Sequence, residues 1–382
     1  MKGKGQWVLG MLLGWTLSGS VWAQGTPAPP PPAKPPATTD DSGPATTNDS
    51  IVLPKKKDDA DTPPPPPAPA EEKPKNPNGD IYSLRVDVPI VNLDVGVLLD
   101  KTHQFVPGLK PDNFLVVEDG VEQQVQTVRT TKTPITAVML LEFAANSYWL
   151  INDMENASAA FFRTLQPEDY VAVETYDIKP HILCDFTNNR EVVAQALQSL
   201  MIPTWHETNE FDALYETLDR LSRVEGQKYI ILISSGVDTM SKLTLDQMLA
   251  KVKASQNITI FSIATGGMAQ EMRSGGGPRE MTYLQAENEL RTFAQMTGGM
   301  YFQPIFQGEM PDIFSRINDS IRNKYVLTYR PTNNKNDGSY RKVKVYLVDN
   351  EGKPLKMADE KGKPLKYSVI ARDGYRAKLP VE

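Results

Sequence analysis

The sequence predicts an α/β fold, a doubly wound and mostly parallel sheet inserted in a β-rich domain formed by both flanks. Three observations carry this expectation. Ala137–Leu141 is an unbroken apolar run that stops at Glu142, as a central strand covered on both faces would. From Thr136 onward, apolar strands alternate with helical patterns, the rhythm of a layered α/β unit. On either side of that unit the apolar period is two, the mark of sheets with one wet face.

In chain order, residues 1–23 read as an export signal. Lys2 and Lys4 give a positive start, Trp7–Leu17 an apolar run, and Val21-Trp22-Ala23 a small-residue cleavage site before Gln24. The run is short for a membrane span, and no later stretch is long and apolar enough for one. The expected location is therefore the periplasm or the cell exterior. Residues 24–80 are rich in Pro, Ala, Thr, Asp and Lys, with proline runs at 29–32 and 63–67. They can bury almost nothing and are expected to be a disordered spacer, locally polyproline II.

Residues 81–133 form the first β-rich flank. Leu84–Val95 alternates strictly, and Phe114–Val117 leads through the turn Glu118-Asp119-Gly120 to a returning strand. Residues 134–323 form the α/β unit. Strands are expected at Tyr170–Thr175, Ile182–Phe186, Tyr229–Ser234, Ile258–Ala264 and Met300–Phe302. Helices are expected at Asn152–Leu165, Arg190–Leu200, Glu210–Val224, Leu243–Ala254, Thr282–Met296 and Met310–Asn323. Residues 324–382 form the second flank, with strands at Tyr325–Tyr329, Lys342–Leu347 and Tyr367–Ala371, pairing with the first. G-K-P-L-K occurs at Gly352–Lys356 and again at Gly362–Lys366, a duplication suited to a loop or edge hairpin.

The 382 residues carry a net charge of −6 with no basic stripe, which argues against nucleic acid as partner. A single cysteine, Cys184, excludes an intramolecular disulfide. Catalysis finds little support. His181 and Cys184 lie three apart on a predicted strand and so point to opposite faces, and Ile233-Ser234-Ser235-Gly236 lacks the leading glycine of a nucleophile elbow. His103, His181 and His206 are scattered, without metal-ligand spacing. The loop Ser274–Pro278 lacks the Lys-Ser/Thr of a phosphate cradle and reads as a connector, with Met268, Met272 and Met281 as an adaptable contact surface. The reading is non-enzymatic.

Four stretches of the α/β unit resemble the von Willebrand factor type A domain, a Rossmann-like fold. These are V-M-L-L-E-F, T-N-E-F-D-A-L-Y at Thr208–Tyr215, I-L-I-S-S-G-V-D at Ile231–Asp238, and F-A-Q-M-T-G-G-M-Y-F at Phe293–Phe302. The phrases N-F-L-V-V-E-D-G, Y-V-L-T-Y-R-P and A-R-D-G-Y in the flanks resemble exported VWFA-related proteins of the Acidobacteria type. The resemblance implies a protein-interaction or cell-adhesion module, with a metal-ion-dependent adhesion site at the carboxyl ends of the strands. The family pattern falls here on Glu142, Ala144, Asn146, Thr208 and Ser235. Ala144 brings no ligand atom and Ser235 replaces a carboxylate, so the site is degenerate. Mg²⁺ asks for near-octahedral oxygen coordination at about 2.1 Å and should bind poorly. No cofactor is expected beyond, at most, a weakly bound Mg²⁺ or Ca²⁺. The alternative is a rebuilt Mg, Ca or Mn site around Glu142 and Thr208, completed by a bulge bringing in Ser147 or by Glu207, Glu210, Asp212 and Asp238. First-turn placement explains Glu210 and Asp212 more simply. The contact surface for an unidentified protein partner is expected over Glu142–Tyr148, Trp205–Phe211 and Ser235–Met240, with Tyr148, Trp205, His206 and Asp238 as contact residues.

Overall fold

A computed structural model describes residues 89–130, 133–145, 161–162, 165–200, 203–268 and 281–379. The expected signal and spacer lie outside these residues, as do Leu84–Val88, most of the helix expected at Asn152–Leu165, and Ser274–Pro278.

The first flank supplies β1 (Val91–Leu99), β2 (Phe114–Glu118), β3 (Val121–Gln123) and β4 (Val125–Thr130). β1 continues past the strict alternation that ends at Val95, because Val97 and Leu98 still find core. The turn between β2 and β3 is closed by Asp119 and Gly120, both at positive φ (48° and 87°), as a tight hairpin requires.

The α/β unit follows with β5 (Ile135–Glu142), β6 (Tyr170–Tyr176), β7 (Pro180–Thr187), α1 (Arg190–Gln198), α2 (Glu210–Ser222), β8 (Gln227–Ser234), α3 (Leu245–Ala254), β9 (Ile258–Ala264), α4 (Met281–Thr297), β10 (Tyr301–Phe302) and α5 (Met310–Arg322). Its sheet has the order β10-β9-β8-β5-β6-β7, parallel throughout except for the edge strand β7. The apolar run of β5 serves two cores at once. Ala137, Met139 and Leu141 pack with Val193 and Leu197 of α1 and Phe314 and Ile317 of α5. Val138 and Leu140 pack with Leu214 and Leu218 of α2, Met248 of α3 and Phe293 of α4. Alternate side chains of a strand leave on opposite faces, so a doubly covered strand has no polar position to spare. Each such side chain, fully buried, contributes about 1.5–3 kcal/mol. Helix starts are marked where the sequence allows: Asn189 caps α1 through the amides of Glu191 and Val192, and Thr244 forms a capping box with Gln247 ahead of α3. Met268, expected on a surface loop, is buried in the first of these cores, while Met281 is exposed and Met272 lies outside the described residues.

The second flank adds β11 (Tyr325–Tyr329), β12 (Tyr340–Leu347), β13 (Met357–Ala358), β14 (Pro364–Leu365), β15 (Tyr367–Ala371) and β16 (Gly374–Arg376). Strands of the two flanks interleave in two four-stranded sheets, β15-β1-β11-β4 and β16-β12-β2-β3, which share one core built on Leu93, Val95, Phe114, Val116, Leu327 and Tyr329. A buried polar knot ties them: Glu118 Oε2 accepts from Tyr329 (2.8 Å) and Tyr375 (2.9 Å), and Arg341 stands 3.9 Å from Oε1. The duplicated segment is a hairpin whose halves turn the same way. Asp349 accepts from the amides of Glu351 and Lys353, and Asp359 from those of Lys361 and Lys363. Among the described residues no helix is long and apolar enough to cross a membrane.

Candidate functional site

The parallel register sets Leu141 of β5 against Ile233 of β8, so Glu142 emerges beside the Ser234-Ser235 turn. Glu142 is buried and its Oε2 accepts from the Ser235 amide (2.6 Å) and the Ser234 hydroxyl (3.1 Å). Thr208, on the loop before α2, is buried as well. Its hydroxyl donates to the Val237 carbonyl and its amide to Thr239 Oγ1 (2.9 Å). The Ser235 hydroxyl accepts from the Val237 amide (3.3 Å). Glu142 and Ser235 therefore touch, and Thr208 sits on the facing loop, bound one step further along. Ala144 is fully buried. Asn146, Ser147 and Tyr148 lie outside the described residues. Glu142 Oε2, the Thr208 hydroxyl and the Ser235 hydroxyl each bond within the protein, and no group of three or more His, Cys, Asp or Glu among the described residues is arranged to hold an ion.

A residue that sequence reasoning placed on the surface proves central. Glu210 opens α2, where an acid is favoured by the helix dipole, yet its side chain is fully buried. Its Oε2 contacts the Ser234 hydroxyl and lies 3.3 Å from Tyr176 Oη, while its Oε1 is buried without a hydrogen-bond partner. Ser234 Oγ also accepts from Tyr176 (2.7 Å) and from the Gly236 amide (2.7 Å). A hydroxyl has one proton and two lone pairs, so it cannot serve both glutamates in their deprotonated forms. A proton on Glu210 supplies the missing donor once Tyr176 turns its own hydroxyl to Glu210 Oε2, 3.3 Å away, and leaves a lone pair of Ser234 free. Burial pushes the Glu210 carboxyl from an ordinary 4.5 to about 8; the Ser234 bond opposes this, and Glu142, Asp238 and Glu289 reinforce it. Burial likewise raises Asp238 and Glu289. Gly236 lets the loop approach α4 closely: at φ +77°, a Cβ there would stand 2.9 Å from Leu290 and 3.0 Å from Ala286.

The other acids of this end hold loops. Asp238 accepts from the Ser241 hydroxyl (2.6 Å), and the nearby amides of Phe211 and Glu210 at the start of α2 favour its charge. Asp212 accepts from the amides of Lys242 (3.1 Å) and Leu243 (3.2 Å). Glu207 and His206 are exposed. Trp205 is 47% exposed, with its carbonyl bound by the Ala145 amide (2.8 Å). Met240, on the loop after β8, is exposed too, as are Met281 and Leu284 on the first turn of α4 and Ile305 and Phe306 just after β10. Sequence reasoning named Met281 as a contact residue but missed Leu284, Ile305 and Phe306, although an apolar pair in a loop directly after a strand was the available signal.

The pair considered for nucleophilic chemistry is split. Cys184 is buried, and burial raises its thiol, while His181 is exposed and lies 3.4 Å from Asp177.

The fold resembles several solved structures. The vWF domain of the type V pili tip protein Mfa5 from Porphyromonas gingivalis is 13% identical, covering 50% of this chain and 96% of that one, with a TM-score of 0.39. The PilB minor pilin from Streptococcus sanguinis is 11% identical over 51% of this chain and 63% of its own, with a TM-score of 0.38. A von Willebrand factor type A protein from Catenulispora acidiphila is 11% identical over 75% of each chain, with a TM-score of 0.40. No curated protein matches the sequence. Residues 149–308 of this chain match the family model of the von Willebrand factor type A domain.

Proposed function

We propose that the chain is an exported, non-enzymatic protein-interaction or adhesion module that engages a protein partner through the carboxyl-end face of its α/β unit, without a divalent ion. The observation that carries this reading is the inward use of the site's oxygens. Glu142 serves the Ser234-Ser235 turn and Thr208 the Val237 carbonyl, whereas an adhesion site needs them free for an ion and a partner's carboxylate. The exposed Trp205 and Met240 on two loops of that face supply the apolar anchors on which interfaces rest. The flank phrases support the closer reading as an exported VWFA-related protein of the Acidobacteria type, with a signal cleaved before Gln24 and a spacer holding the globular part away from its amino end.

One observation favours a second reading, a rebuilt Mg, Ca or Mn site: Glu210 Oε1 is a buried carboxyl oxygen without a partner, close to Glu142. Thermal unfolding of the chain from Gln24, with EDTA and then with each ion at millimolar concentration, separates the two. An ion bound at 100 times its dissociation constant adds about 2.7 kcal/mol. An unmoved melting temperature supports the metal-free reading. A clear upward shift that disappears in Thr208→Ala overturns it.

A further inference from the structure

At the opposite end of the sheet, a cleft of about 510 Å³ runs along the seam between the α/β unit and the outer face of the sheet containing β1, β11 and β4. The volume is within the range of small-molecule sites, about 300–1,000 Å³. Four cations line it: Arg129 at the end of β4, Lys228 at the start of β8, Lys324 ahead of β11, and Arg372 after β15. Asp94 is the one carboxylate among the described lining residues, and it is already held by Lys324, which also donates to Tyr229 Oη (2.7 Å).

The remaining three cations make no ion pair within 4.0 Å among the described residues, although Asp373 and Asp94 lie near enough to Arg372 to favour its charge. Lys228 is 7% exposed and its ammonium reaches only the Val224 carbonyl (2.9 Å), and burial pushes it below its ordinary value. Arg372 donates from Nη2 to the Ser255 carbonyl (3.2 Å), and its Nε is buried without a protein partner. Arg129 is exposed at the mouth. Removing such charges from water is costly unless an opposite charge meets them. A second lobe of about 200 Å³ shares Asn92, Asn257 and Arg372 with the first and adds Lys335, Arg376 and Lys378, with no acid among its lining residues. On a chain of net charge −6, this excess of cations over carboxylates around a concave, amide-rich space is a local inversion of sign.

We propose that this seam binds a small polyanion, a molecule whose two or more phosphate or carboxylate groups are taken by Arg372 and Lys228 inside the chamber and by Arg129 at its mouth. The guanidinium fork of Arg372 matches the planar edge of a carboxylate or two oxygens of a phosphate. Asn92 and Asn257, shared by both lobes, offer neutral donors to the body between the charged groups.

Calorimetric titration of the mature chain with inorganic pyrophosphate, and separately with citrate, tests this in about 0.15 M NaCl, where the screening length is about 8 Å. Saturable one-to-one binding of either probe is expected, and the better of the two names the anion chemistry. Arg372→Met is expected to weaken it about tenfold or more, the loss of one charge-assisted bidentate contact. Arg129→Ser, at an exposed position that folding does not depend on, is expected to weaken it about threefold or more. Lys353→Ser, in the distant hairpin turn, should leave it unchanged. Saturable binding of neither probe overturns the proposal, as does binding undiminished in Arg129→Ser, which decides the matter should Arg372→Met fail to fold.

Discussion

The two ends of the central sheet solve opposite electrostatic problems. At the carboxyl end, Glu142, Glu210, Asp238 and Glu289 crowd together, and their charge is managed internally: by the Ser235 amide, by the hydroxyls of Ser234 and Ser241, and by a proton on Glu210. At the amino end, Arg129, Lys228 and Arg372 are gathered in a cleft without an ion pair among the described residues, Lys228 and Arg372 donating to backbone carbonyls. Buried charges with internal partners hold a structure together, while buried charges without them keep an electrostatic deficit that a ligand can fill. The comparison teaches that the acids of the carboxyl end are tied into a structural knot, and that the excess of positive charge lies at the other end.

The largest expected effect tests the knot. In the folded protein Glu210 holds its proton up to about pH 8, whereas an unfolded chain releases it near 4.5. The folded state binds the extra proton between those values. Its stability contribution is therefore complete below pH 4.5 and falls by about 1.4 kcal/mol per pH unit as the pH rises toward 8, then levels off. Glu210→Gln keeps an N–H donor for Ser234, as the protonated acid does, and removes the charge. Urea unfolding at pH 5, 7 and 9 should show wild type losing stability across the series and the variant flattened, overtaking it at pH 9. Parallel curves would mean that Glu210 carries no such proton.

A smaller effect tests the other end. Burial opposes the charge of Lys324, but Tyr229 and Asp94 hold its ammonium above the ordinary value. Asp94→Asn removes the only carboxylate of the cleft. Because Asp94 is 43% exposed, the loss is discounted to about 1–2 kcal/mol at neutral pH, less than for a fully buried pair. The same substitution makes the cleft more positive, so pyrophosphate or citrate should bind more tightly. A variant that loses stability without gaining affinity would show that the cleft's charge is not felt by an anion.

The two ends also differ in how far the chain spelled them out. The doubly covered strands were legible because Ala137–Leu141 leaves no polar position on either face, and the flanks because their alternation leaves one face wet. Glu142 could be placed at one end of the sheet from the strand it closes, and Thr208 and Ser235 from the family resemblance. Which way a hydroxyl points could not: Thr208 turned toward Val237 is a matter of loop geometry. Glu210 was hidden by a plausible local reason, since an acid in a first helical turn needs no burial to be explained. The basic cleft was invisible for a different reason. Arg129, Lys228, Lys324 and Arg372 come from both flanks and the middle of the α/β unit, and only the seam brings them together.

The smallest effect on stability falls at Trp205, and it bears most directly on what the acidic end does. Its ring is about half exposed and its backbone carbonyl, held by the Ala145 amide, survives any side-chain change. Trp205→Ala should shift unfolding by no more than about 0.5 kcal/mol, as surface substitutions do. An anchoring aromatic at an interface is worth about 2 kcal/mol or more to binding. Once a partner is in hand, Trp205→Ala and Met240→Ser should weaken its binding while leaving anion binding at the seam untouched, and Arg129→Ser should do the reverse. If Trp205→Ala costs several kcal/mol of stability instead, the ring is part of the packing of its loop, and the contact face shifts to the apolar residues around Met281 and Phe306.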